Sequence, residues 1–172
     1  MRQAPGSVRV FIFLHLLIYI GVSMFTVNAK ASEAIALLAN YNAASVSAST
    51  VTTGWISAAN HERFLAMVSS GVLGSSATLD AKLQQASDSS GTGAKDITGK
   101  TITQIVKASG DNKVALINLK ASELDVANGF THFRLSMTVG TAASLLDAKV
   151  IGLVPRYEPN SAYNIAAVVE TV

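Results

Sequence analysis

The run Gly93-Ala94-Lys95-Asp96-Ile97-Thr98-Gly99-Lys100-Thr101 comes nearest to a known chemical motif, the loop whose backbone amides and lysine surround the phosphates of a nucleotide. That motif needs G-x-x-x-x-G-K-[ST]. Here Gly93 lies one residue too far from Gly99, and Ala94 takes the place of the first glycine. A phosphate loop also joins a hydrophobic strand to a helix, so that amides converge on the anion. Polar SDSSGT precedes this run and β-branched ITQIV follows it, which favours a glycine-rich hairpin loop.

His61-Glu62 sets an imidazole beside a carboxylate, the material of general acid/base catalysis. Neighbours on a strand point to opposite faces, so the two form no dyad. His132 falls on the polar side of its own alternation, and both histidines are expected at the surface. No G-x-S-x-G elbow supports a serine nucleophile. The absence of cysteine removes thiol catalysis, zinc-thiolate sites and disulfides. Asp80, Asp88, Asp96, Asp111 and Asp125 stand singly; the Asp88 to Asp96 loop offers a hard cation scattered oxygens, but no metal is predicted. Trp55, the single tryptophan, is either an exposed platform for a sugar or, as its large apolar area favours, a core anchor. No catalytic residue, cofactor ligand or metal ligand is therefore assigned.

The elements around these residues are mostly strands. His132 to Val139 alternates polar and apolar side chains, as do Leu79 to Gln84 and Leu146 to Val150, which implies antiparallel sheets with one wet face each. Further strands are expected at Ala43 to Thr53 running into Trp55-Ile56, at Arg63 to Ser70, Thr78 to Ala86 and Thr101 to Val106, and at Leu145 to Val154. Val114 to Leu119 is apolar on both faces and reads as a central strand. Ser87 to Gly99 reads as a long loop, and Ser109 to Asn112 and Gly140 to Ser144 as turns. Ser32 to Asn40 has the capping and composition of a short helix. Ser122 to Asp125 reads as a capped crossover turn closed by Asn128-Gly129. The tail Ala162 to Val172 has strand composition suited to pairing with a neighbour's sheet edge. Seven or eight strands at this spacing predict an all-β fold, an antiparallel β-sandwich of jelly-roll type with a short N-terminal helix and one short crossover helix.

Composition sets the frame. Of the residues 49% are apolar, 14% charged and 6% aromatic, so the apolar excess is small and aliphatic. Arg2 and Arg9 lie in an apolar leader, residues 1 to 29; without them eleven basic residues match eleven acidic ones, spread evenly, and no nucleic-acid partner is expected. Residues 30 to 50 hold the short helix with a linker or first strand, and 51 to 172 the sandwich. Within the leader, Val10 to Val27 (VFIFLHLLIYIGVSMFTV) has the charges, apolar run and small-residue exit of a signal peptide. It is also long enough for an uncleaved anchor, since roughly 18 to 20 residues at 1.5 Å each span most of a ~30 Å core. A third reading starts translation at Met24, which removes the leader.

One order of motifs adds to this. Trp55-Ile56-Ser57 with Arg63-Phe64, then Gly71, Leu79-Asp80-Ala81-Lys82-Leu83-Gln84-Gln85-Ala86, Asp88, Gly91 and Ala94 to Lys100 are followed by Leu124 to Phe130, Arg134 and Arg156-Tyr157. Over residues 30 to 160 this resembles small structural proteins encoded among the head and tail morphogenesis genes of tailed bacteriophages and prophages. The resemblance implies a non-enzymatic virion component, a head decoration or minor capsid protein. It also implies a homo-oligomer, partners such as the major capsid protein, and assembly in the host cytoplasm. It carries no site residues over. The leader departs from the pattern and favours Met24 as the start. The rival expectation is an exported, envelope-associated carbohydrate-like binding module, with the loops near Trp55 and Ser87 to Gly99 as its site.

Overall fold

The computed structural model describes residues 30–172. A single helical turn, α1 (Ala31–Ala34), leads directly into β1 (Ile35–Val46). Then come β2 (Thr50–Thr52), β3 (Ile56–Ser57), β4 (His61–Ser70), β5 (Thr78–Ala86), β6 (Lys95–Thr101) and β7 (Ile105–Val106). A second one-turn helix, α2 (Lys107–Gly110), precedes β8 (Lys113–Lys120), β9 (His132–Gly140) and β10 (Ser144–Pro155). Short 3-10 turns occupy Ala121–Glu123, Val126–Asn128 and Asn160–Tyr163.

All pairings are antiparallel and fall into two sheets, one ordered β1-β10-β4-β8 and the other β2-β9-β5-β6. The short β3 continues β2 along β9, and β7 continues β6 along β5. Read as eight strands, the chain pairs first with last and proceeds inward: β1 with β10, β2/β3 with β9, β4 with β8, β5 with β6/β7. A long antiparallel hairpin rolled into two packed sheets is a jelly roll.

The inward sides of β4 and β9 meet at Phe64 and Phe133, whose ring centroids are 4.6 Å apart. Around them pack Leu79 and Leu83 of β5, Leu135, Met137 and Val139 of β9, and Leu146 and Val150 of β10. Buried Ala66, Ala81 and Ala148 alternate with these larger groups, so the sheets can approach closely.

Several expectations are corrected. The helix foreseen over Ser32 to Asn40 stops at Ala34, because from Ile35 the backbone pairs with β10 along the whole strand. Val114 to Leu119 is an edge strand, not a central one: β8 pairs only with β4. The loop after β5 ends at Ala94, since Lys95 to Gly99 belong to β6 and pair back on Gln84 and Gln85. The strand expected from Thr101 to Val106 is interrupted between β6 and β7, and α2 covers the start of the Ser109 turn. In the crossover, Glu123 rather than Ser122 supplies the cap, accepting the Lys120 N–H at 2.8 Å. The tail is not a strand. It turns at Asn160–Tyr163 and lies on the edge of β1, where Asn164 Oδ1 accepts the Leu37 N–H and the Ile165 N–H donates to the Leu37 carbonyl.

Candidate interaction surface

The residues singled out for chemistry are placed one by one. Gly99, Lys100 and Thr101 lie in β6, and Lys100 Nζ pairs with Glu123 at 2.8 Å, so no lysine is presented to a phosphate. Asp88 folds its own loop: its Oδ1 accepts the N–H groups of Ser90 and Thr92. Hydrogen bonds from Thr92 hold its carboxyl below the usual range. Asp96 points away to Lys82 and Gln84, and among the described residues no three His, Asp or Glu gather to hold a metal.

His61 is not at the surface. It is 1% exposed, and Asn160, ninety-nine residues on, closes over it. Asn160 Nδ2 donates to the carbonyls of Ala34 and Gly152, so its Oδ1 is the acceptor and the imidazole Nε2–H the donor, at 2.7 Å. The rings of Phe64 and Tyr163 meet the imidazole edge-on, and Gly152 leaves no room for a Cβ beside it. Burial outweighs the Asn160 hydrogen bond and lowers the pKa of His61 below 6.5. Glu62 points the other way, to Arg156 at 3.1 Å. His132 lies half-buried beside the Thr131 hydroxyl.

Trp55 is half-buried, not a core anchor. The Arg134 guanidinium stacks 4.4 Å over its ring, and Gly91, at φ +89°, brings the loop after β5 against the indole where a side chain would collide. The loop and tryptophan that the exported-module reading groups together therefore do meet, with arginine already on the ring.

The two outer faces of the sandwich differ in kind. On the second sheet, register sets Thr50, Thr138 and Asp80 in one row, Thr52, Ser136 and Lys82 in the next, and Arg134, Gln84 and Asp96 in the third. These groups bond to one another: Lys82 Nζ and Gln84 Nε2 to Asp96, Arg134 Nε to Gln84, and Thr50 with Thr138. It is the wet face expected of an antiparallel sheet. The outer face of the first sheet is mixed in character. Its outward rows read Ile35-Leu153-Arg63-Lys120, then Leu37-Ile151-Leu65-Asn118, then Asn40-Lys149-Met67-Leu116, then Asp147-Ser69-Val114. Leu116 is 56% and Val114 59% exposed. The expectation of one wet face per sheet is met most fully by the second sheet; the outer face of the first also carries exposed Leu116, Val114 and Ile35 among its polar groups. The apolar side chains on both sides of β4, β8 and β10 were the signal, visible in FLAMV, VALINL and KVIGLV. Between these apolar groups the same rows carry Arg63, Lys120, Asn118, Lys149 and Asp147, so the face mixes apolar and charged side chains.

What the fold defines is a double-sheet jelly roll, a class shared by capsid domains, lectins and cupins, so it does not by itself assign a role. No protein-family model and no curated protein matches the chain. Among solved structures, a chain of Broad Bean Stain Virus is 11% identical, with 63% of this chain and 64% of that one aligned at a TM-score of 0.36. A chain of naturally occurring empty particles of Cowpea mosaic virus is 11% identical, covering 62% and 60% at 0.34. A chain of the empty virus-like particle of the same virus is 11% identical, covering 78% and 91% at 0.37. The chain thus spans less than two thirds of the first two. The jelly-roll assignment rests on strand order alone.

Proposed function

We propose that the chain is a non-enzymatic structural protein of a virus particle, of the tailed-phage or prophage kind its motifs resemble, and that it works by docking its first sheet's outer face on other protein. The observation that carries this reading is the set of exposed aliphatic side chains on that face, Ile35, Leu116, Val114 and Leu145, set against the polar network on the opposite side. Protein partners are favoured over nucleic acid because Lys82, Lys95, Lys100, Lys107 and Lys149 each hold a carboxylate at 2.6 to 2.8 Å, so most of the lysines among the described residues are neutralised locally. Other virion proteins, the major capsid protein among them, are the partners this role implies, and a virion assembled in host cytoplasm is its location. Among the described residues no helix is long and apolar enough to cross a membrane; the run Val10 to Val27, with the signal, anchor and Met24 readings, lies outside them.

The test is the intact mass of the protein from its native source, together with its sedimentation. The reading expects a chain beginning at or just after Met24 that co-sediments with particles. A chain beginning at Lys30 or Ser32, recovered from the periplasm or medium and absent from particles, overturns it in favour of the exported module.

A further inference from the structure

We propose that the open edge of β8 and the cationic cavity at its C-terminal end together form a docking site for an extended, acidic segment of a partner protein. This rests on the structural role above and names the chemistry of the partner. The edge follows from pairing. Strand β8 bonds only to β4, and the Lys120 N–H turns away from β4 to meet Glu123 at 2.8 Å. Residues of an antiparallel strand alternate between facing their partner strand and facing away, so the backbone groups of Asn118, Leu116 and Val114 also face the open side. No turn or loop among the described residues bonds to them. They offer donors and acceptors to one more strand.

The cavity, of about 320 Å³, lies where this edge ends, between Arg63, Asn118, Lys120 and Leu153 and the Lys100–Glu123 ion pair. Glu123, which Lys100 engages at 2.8 Å, is the single carboxylate against the cations of Arg63, Lys100 and Lys120. Among the described residues neither Arg63 nor Lys120 has an ion-pair partner, and the register sets the two directly opposite each other on β4 and β8. Like charges so placed cost stability, and a carboxylate between them replaces repulsion with charge-assisted hydrogen bonds. Leu153 and the aliphatic stems of the lysines give room for the side chain that carries it. Charge also selects the partner. Lys113 and Lys120 close the two ends of β8, so two such edges paired antiparallel would bring the Lys120 of each copy beside the Lys113 of the other. An acidic strand meets opposite charge at both ends.

The probe is a fluorescein-labelled hexapeptide of alternating glutamate and valine with blocked termini, titrated with the full chain at low salt and followed by fluorescence anisotropy. Binding is expected, with protection of the Val114, Leu116 and Asn118 amides in hydrogen exchange. R63E and K120E, both at exposed positions, should each weaken binding about tenfold or more. Proline for valine in the peptide should abolish it, since proline brings no N–H to the edge. R63E sets a carboxylate opposite Lys120, so it should melt no lower than the wild type, and its lost binding is then not lost folding. No peptide binding, binding indifferent to both reversals, or equal binding of the proline peptide overturns the proposal. Inorganic phosphate that binds through Arg63 where the peptide does not assigns the cavity to small anions and overturns it as well. A protein that co-sediments with particles but does not bind the peptide loses the docking site and keeps the structural role. One that binds the peptide through Arg63 and Lys120 yet is absent from particles does the reverse.

Discussion

The imidazole of His61 shows how one residue acquires its character from distant chain. Its neighbours in sequence, Glu62 and Arg63, are exposed, and only the return of Asn160 and Tyr163 buries it. Because burial lowers its pKa below 6.5, the folded protein prefers the neutral ring more strongly than the unfolded chain does. The unfolded state then binds more protons, so stability rises with pH. This contribution is complete above pH 6.5 and is lost as pH falls through the lowered folded value. Denaturant midpoints measured from pH 8 downward should decline from 6.5, and H61Q should flatten that decline. Asn160 holds three partners in a buried site, and N160A strands the imidazole N–H and the Ala34 and Gly152 carbonyls. A loss of about 2 to 3 kcal/mol is expected from such unmade bonds, read as a shift of the urea midpoint.

Among the elements, β1 and β8 were the hardest to place from sequence, for opposite reasons. Register shifts between Leu37 and Ala39 and between Tyr41 and Ala44 break the period of two in β1, so IALLAN presents the doublet spacing of an amphipathic helix. Strand β8 shows apolar residues on both faces, which burial between layers explains as well as an interface does. Only pairing reveals that nothing follows it in its sheet. The tail was assigned to strand addition, whereas the structure divides it in two. Residues through Ile165 tie down His61 and the edge of β1; beyond them Val169 and Val172 are 97% and 98% exposed. A chain ending at Ile165 should keep its melting temperature within a few degrees. One ending at Pro159 removes Asn160 and should melt clearly lower by calorimetry, on the same unsatisfied-group argument. A simple removal of Tyr163 to Val172 mixes the two effects, since Tyr163 packs on the imidazole.

At the scale of the whole molecule, charge is distributed as local pairs. Lys82, Lys107, Lys100 and Lys95 hold Asp96, Asp111, Glu123 and Asp125 below their usual carboxyl values, each chiefly through a hydrogen bond from the lysine. Such groups give stability that is present above their unfolded values of 3.8 and 4.5 and is lost as pH falls through the lowered ones. Acid unfolding should therefore have two stages, one beginning at pH 6.5 from His61 and one below about pH 4 from the carboxylates. The pairs lie at the surface and the imidazole does not, so 0.5 M salt should shrink the second stage and leave the first, as fluorescence-monitored titrations would show. The two outer faces differ to match: the second sheet's is a bonded polar network, and the first sheet's sets exposed Leu116 and Val114 among charged groups.

The sequence by itself determined an all-β antiparallel class, the strands from Thr78 to Ala86 and from His132 to Val139, and the lack of cysteine; the strand order that makes the sandwich a jelly roll came from the pairing. Class, strands and cysteine count depend on period and composition, which short windows contain in full. Tertiary structure alone decided that His61 is buried, that Trp55 carries an arginine instead of filling the core, that β1 is a strand and that β8 is an edge. Each of these is set by a partner far along the chain: Asn160 for His61, Arg134 for Trp55, β10 for β1 and β4 for β8. An alternation says which side chains share a face, but only the layer packed against that face, or missing from it, says whether the face is wet.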